Sequence, residues 1–237
     1  MKVLGIDSSG MTATAALIDD DRLIAEFTVN NKRTHSETLM PMIDKVLTAS
    51  ETDIKDVKLL AIAAGPGSFT GLRIGAATVK GLGLSINAPV AAIPTCEGLA
   101  MNLSGAEGLV CPIIDARRNQ VYTGLYRVSG EMPEAVIDQT ACDISEIVEK
   151  INEAGEKVTF LGDGTDVFRE YIEKEIRVPY SFAKANASLQ RAASIASLGL
   201  LYYREGKTVS VDDFSPVYLR PSQAERVRDE KKSAEDR

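Results

Sequence analysis

Gly65-Pro66-Gly67-Ser68-Phe69-Thr70-Gly71-Leu72-Arg73-Ile74-Gly75 joins two segments of different character. Before it runs Leu59-Leu60-Ala61-Ile62-Ala63-Ala64, an apolar stretch that reads as a buried strand. After it, Leu72 to Leu84 is apolar-rich and reads as a helix. A glycine-rich strand-to-helix turn is where α/β proteins hold phosphates on backbone N–H groups. Two common nucleotide patterns fail on spacing. No Lys-Ser or Lys-Thr follows Gly71, and Gly65, Gly67 and Gly71 give G-x-G-x-x-x-G rather than G-x-G-x-x-G. Two readings of the loop stay open: an anion cradle at a helix start, or a tight connection whose glycines permit positive φ and close packing.

Upstream, Lys2–Asp7, Thr12–Ile18 and Leu23–Val29 read as three strands joined by tight turns, an antiparallel meander. Ser36 to Ala49 follows, with Leu39, Met42, Ile43, Val46 and Leu47 at helical spacing. Thr34 and Glu37 have capping-box spacing, and Pro41 fits the first turn or a kink. Downstream come a short strand at Val90–Ile93 and a helix from about Thr95. The order β-β-β-α-β-α-β matches a ribonuclease-H-like subdomain. Two such subdomains make the actin-like (ASKHA) α/β fold.

A second copy is legible. Leu109 to Asp115, a polar turn, then Gln120 to Val128 repeats the layout of Val3–Asp7, turn, Thr12–Ile18, with an aspartate closing the first strand of each. A helix near Ile144–Ala154, a strand at Val158–Leu161 ending in Gly162-Asp163-Gly164, and helices near Val167–Glu175 and Leu189–Tyr203 complete a shortened half. The expected division is residues 1–104, a smaller unit at 105–220, and a charged, disordered tail at 221–237.

Composition narrows the function. The net charge is −7, which makes the chain a poor lone binder of a phosphate backbone. Its three cysteines lack C-x-x-C spacing, which argues for a reducing compartment and against zinc. No apolar run reaches the roughly 18 residues of a membrane span, and no signal peptide is visible, so a cytoplasmic location is expected. The single histidine, His35, rules out a two-histidine metal motif, and no G-x-S-x-G elbow exists for a serine triad.

Asp7, with Ser8, Ser9 and Thr12, sits at the first strand turn. In ATPases of this fold the equivalent turn touches phosphates; an aspartate ending a strand also caps turns without any ligand. The Leu72–Leu84 helix is apolar around most of its circumference. Such a helix asks for burial on a second side, under the Ser36–Ala49 helix or under a partner.

These segments together resemble one family. G-P-G-S-F-T-G-L-R-I-G, Leu4-Gly5-Ile6-Asp7-Ser8-Ser9, His35 to Pro41, Ile113-Ile114-Asp115-Ala116-Arg117 and Pro216 to Pro221 are similar to the bacterial TsaB family, older name YeaZ. The resemblance implies a non-catalytic scaffold subunit of the machinery that makes N6-threonylcarbamoyladenosine at position 37 of tRNA. It implies a TsaD-like catalytic paralogue and a TsaE-like ATPase as partners, and tRNA met only through the assembly. Without the partner, a homodimer through the same face is expected. TsaD holds a metal with paired histidines on the helix corresponding to Ser36–Ala49, a pattern this chain lacks.

ATP and metal are therefore expected on the partners, with no cofactor, metal or catalytic residue on this chain. Asp7, Ser8, Ser9, Thr12, Gly65 and Gly67 are expected to be a vestigial phosphate loop. The expected partner interface is Leu39, Met42, Ile43, Val46, Arg73, Gly75, Ala76, Val79 and Lys80. The rival reading is a small ATP-dependent phosphotransferase, or a peptidase, of the same fold.

Overall fold

In the computed structural model, which describes residues 1–31 and 34–220, the chain opens with three antiparallel strands. These are β1 (Lys2–Asp7), β2 (Thr12–Asp19) and β3 (Arg22–Asn30). Helix α1 (His35–Ala49), strand β4 (Leu59–Gly65), helix α2 (Phe69–Ile86) and strand β5 (Val90–Pro94) complete a sheet ordered β3-β2-β1-β4-β5. Strands β4 and β5 add in parallel, as β-α-β crossovers require. Helix α3 (Thr95–Met101) leads to the second sheet, made of β6 (Leu109–Asp115), β7 (Gln120–Arg127), β8 (Glu134–Asp143), β9 (Val158–Leu161) and β10 (Tyr180–Phe182). Its order, β8-β7-β6-β9-β10, repeats the first. Helices α4 (Ile144–Ala154) and α5 (Gly164–Glu175) belong to this half. The chain has the expected actin-like architecture of two related halves.

Strand β4 is buried along its whole length, so a continuous apolar run suits it better than alternation. Helix α1 presses Leu39, Met42, Ile43 and Val46 onto the first sheet, each at most 3% exposed. Burying each stabilises the fold by roughly 1.5–3 kcal/mol relative to exposure.

Four details differ from the sequence reading. Thr34 makes no side-chain cap: its hydroxyl meets Ser36 Oγ at 3.1 Å, so no capping box forms. The reciprocal box occurs on α4, where Asp143 and Glu146 satisfy each other's backbone. Pro41 lies beyond the first turn of α1, on its exposed side, and forfeits the bond to the Glu37 carbonyl. The strands β8 and β10 carry no clear sequence signal: β8 is an edge strand that mixes polar and apolar residues, and β10 has three residues.

The fourth difference concerns α6 (Ala192–Arg204). It follows the second sheet in sequence but packs on the first, against β1, β2, β4 and β5. Small residues permit this: a Cβ on Gly5 of β1 would collide with the Ala192 carbonyl. Ile195, Ala196 and Leu198 share one apolar cluster with Val3, Leu59 and Ile93. The first sheet is thus sandwiched between α1 and α2 on one face and α6 on the other. Helix α6, within residues 105–220, thus covers the first sheet, while the second sheet keeps an apolar cluster of its own. The expected 221–237 tail lies outside the described residues.

Candidate functional site

The turn after β1 is folded in on itself. Asp7 accepts hydrogen bonds from the Ser9 N–H (2.8 Å) and the Ser9 hydroxyl (2.6 Å). Asp7, Ser8, Ser9 and Thr12 are each at most 2% exposed. Burial pushes the Asp7 carboxyl up to about 6, against the pull of the Ser9 hydrogen bonds and His35; Asp163 adds to the rise. Burial also raises Asp163, which accepts a hydrogen bond from the Asp115 N–H at 3.3 Å.

The glycine-rich loop lies directly over this turn. The Ser68 N–H donates to the Ser9 carbonyl at 2.7 Å, and the Ser8 hydroxyl donates to the Gly71 carbonyl at 2.9 Å. A Cβ on Gly67 would collide with the Ser9 carbonyl, and one on Gly71 with the Ser8 carbonyl. Ser68 caps α2 by accepting from the Gly71 N–H at 3.3 Å. Two N–H groups of the loop, those of Ser68 and Gly71, are therefore engaged with the chain's own Ser9 carbonyl and Ser68 hydroxyl. Gly67 and Gly71 thus sit at a close approach to the Ser8–Ser9 backbone, which supports the tight-connection reading.

His35, the first residue of α1, joins the same cluster. Its Nε2 donates to the Gly10 carbonyl at 2.7 Å, since a carbonyl only accepts. Nδ1 is buried with no partner among the described residues. No group of three or more His, Cys, Asp or Glu that could hold a metal ion occurs among the described residues.

Within the chain, the expected interface residues fall into two groups. Leu39, Met42, Ile43, Val46 and Val79 are core side chains, each at most 3% exposed. Gly75 faces Ser8, whose Oγ would lie 2.5 Å from an added Cβ, and Ala76 packs in the core cluster. All seven are buried within the chain, so a charge at Ala76 would meet its own core. Arg73 and Lys80 engage the C-terminal segment: Arg73 Nε donates to the Tyr218 hydroxyl at 3.4 Å, and Lys80 Nζ to the Asp212 carbonyl at 3.4 Å. The exposed side of the helix pair carries Met40, Pro41, Asp44, Ala77, Gly81 and Leu84. Helical periodicity marked the apolar positions correctly but does not say whether sheet or partner receives them.

The segment from Pro216 was marked in the sequence only by its resemblance, not by its place in the fold. Residues 216–220 form a strap across both halves. The Val217 N–H donates to the Ala64 carbonyl at 2.7 Å, the Tyr218 ring stacks on Phe69 at 4.6 Å, and Arg220 Nη1 donates to the Ala116 carbonyl at 2.8 Å.

A family model described as TsaD, tRNA N6-adenosine threonylcarbamoyltransferase, matches residues 22–227. The chain is 34% identical over 225 residues to the tRNA threonylcarbamoyladenosine biosynthesis protein TsaB of Bacillus subtilis, covering 95% of this chain and 96% of that protein. The chain belongs to the TsaB family. Its Escherichia coli relative of the same name is 31% identical over 93% of this chain and 95% of that one. The solved structure of YeaZ from Pseudomonas aeruginosa superposes with a TM-score of 0.79 at 26% identity, covering 92% of this chain and 99% of that one. An ethanolamine utilization protein, EutJ, from Carboxydothermus hydrogenoformans shares the fold alone, at a TM-score of 0.54 and 10% identity over 84% of this chain and 90% of that one. TsaB membership places the chain in tRNA threonylcarbamoyladenosine biosynthesis. No helix among the described residues is long and apolar enough to cross a membrane.

Proposed function

We propose that this chain is a non-catalytic scaffold subunit of a cytoplasmic assembly that makes N6-threonylcarbamoyladenosine at position 37 of tRNA. It pairs with a TsaD-type catalytic subunit and works with a TsaE-type ATPase. One observation carries the reading: the turn that would meet a phosphate in an ATPase of this fold is filled by the chain's own Gly67–Gly71 backbone. ATP and metal then belong to the partners. The sealed turn also weighs against the phosphotransferase alternative, and the lone histidine against the peptidase.

The contact surface in this reading is the exposed side of α1 and α2, around Met40, Ala77, Gly81 and Leu84. Leu84 is 67% exposed, and nothing lies within 4 Å of a Cβ built on Gly81. A paralogue of the same fold offers a similar helix pair, so the contact is pseudo-symmetric, and a homodimer forms through it when the partner is absent.

Gel filtration with and without the catalytic subunit tests this. Gly81→Arg is expected to keep the wild-type circular dichroism spectrum and to lower partner affinity by roughly a hundredfold, as a charge in a dry contact does. Normal assembly of that variant places the interface on another face. Tight ATP binding by the isolated chain, lost on changing Asp7, overturns the scaffold reading itself.

A further inference from the structure

The turn after β6 is the counterpart of the sealed turn after β1, and it is bare. Arg117, Arg118 and Asn119 all adopt left-handed backbone, with φ of 66°, 58° and 59°. Asparagine tolerates that region; two consecutive arginines there are strained. Nothing in the second core requires the arginines, since both side chains are exposed, that of Arg117 by 84%.

The turn is nonetheless firmly held. The Arg117 N–H donates to Asp115 Oδ1 at 2.8 Å, the Ala116 N–H to the Gln120 carbonyl at 2.9 Å, and the Ile144 N–H to the Asn119 carbonyl at 3.3 Å. Arg220 on the strap fixes the Ala116 carbonyl and brings a third guanidinium to the turn. The Arg117 guanidinium leans on Asp115 at 3.0 Å, while Arg118 has no side-chain partner among the described residues. A strained, well-anchored turn that displays adjacent guanidiniums has the form of a recognition element, because backbone strain persists where function uses it.

We propose that the Arg117–Arg118 turn, flanked by Arg220, is a contact site for the phosphodiester backbone of RNA. Guanidiniums match phosphate oxygens bidentately and stay charged at every working pH. The chain as a whole is acidic, at −7, so a local basic turn serves to position RNA already attracted by other subunits rather than to capture it alone. This inference rests on the tRNA-modification reading above, and it deepens that reading by giving the scaffold a direct hold on the substrate.

The test uses the reconstituted assembly with its TsaD-type subunit and a tRNA transcript as probe, titrated across a salt series. Arg117→Ala with Arg118→Ala is expected to weaken binding about tenfold and to reduce the slope of log K against log salt by about two, one for each lost phosphate contact. The paired Lys variant is expected to keep the slope. Should the alanine pair fail to fold, Arg117→Gly with Arg118→Gly carries the measurement, since glycine suits the left-handed turn. Unchanged affinity and slope, in an assembly that binds and modifies tRNA, overturns this inference and leaves the proposed function standing. Loss of subunit association with RNA contact intact shows that the arginines face acidic protein, which also overturns it. A wild-type assembly that neither forms nor binds RNA overturns both.

Discussion

After β1 the chain turns through Ser8, Ser9 and Gly10 beneath the glycine-rich loop; after β6 it turns through Ala116, Arg117, Arg118 and Asn119 in the open. The strand order around the two turns is the same. What differs is the segment laid beside each. In the first half the β4–α2 loop reaches over the turn and bonds Ser9. In the second the β9–α5 loop is shorter and stops at the strand end, where Gly162 meets the Ile113 carbonyl. A repeated fold therefore does not repeat a site. The covering loop decides whether a turn becomes core or surface.

The comparison breaks most directly at Gly71. Gly71→Ala drives a methyl into the Ser8 carbonyl and is expected to cost about 3 kcal/mol or more, lowering Tm by roughly 6–12 °C. Gly81→Ala, in open space on the same helix, is expected to raise stability by about 0.5–1 kcal/mol. Equal effects of the two in thermal unfolding would mean that the first turn is not sealed by that loop.

Asp7 sharpens it next. Its folded carboxyl titrates near 6, above the ordinary 3.8, because it is buried. The folded state therefore takes up a proton between about pH 6 and 4 that the unfolded state does not, and wild-type stability from this group falls as pH rises through that window. Asp7→Asn is expected to gain roughly 2–3 kcal/mol over wild type at pH 7 and little below pH 4. Urea titrations at both pH values check it; a constant difference means that Asp7 is not desolvated as its burial requires.

The smallest effect belongs to the open turn. Arg117→Gly with Arg118→Gly relieves left-handed backbone without touching the core, and is expected to add about 1–2 kcal/mol, or a few degrees in Tm. A lowered Tm would show that the arginines hold the turn together.

The first half was largely legible in the sequence, because β4 is a pure apolar run and α1 has clean helical spacing. The second was legible only in part. Its strand β8, Glu134–Asp143, mixes polar and apolar residues without clean alternation because it is an edge. The motif residues were found, but their surroundings were not. Nothing local tells that Gly67 faces Ser9, that Ala76 points inward, or that Val217 bonds Ala64 across the chain. Those are long-range pairings, and periodicity reports only which positions want burial, not what buries them.

The placement of α6 delays the completion of the first half during synthesis. The first sheet is fully synthesised by Pro94, yet the helix that covers its second face ends at Arg204, 110 residues later (204 − 94). At about 5–20 residues per second a ribosome needs roughly 5–20 s to deliver it. Throughout that interval Val3, Leu59, Ala61 and Ile93 are bare on one side of a nascent sheet. The first half thus waits on the second during translation before its sheet is covered on both faces.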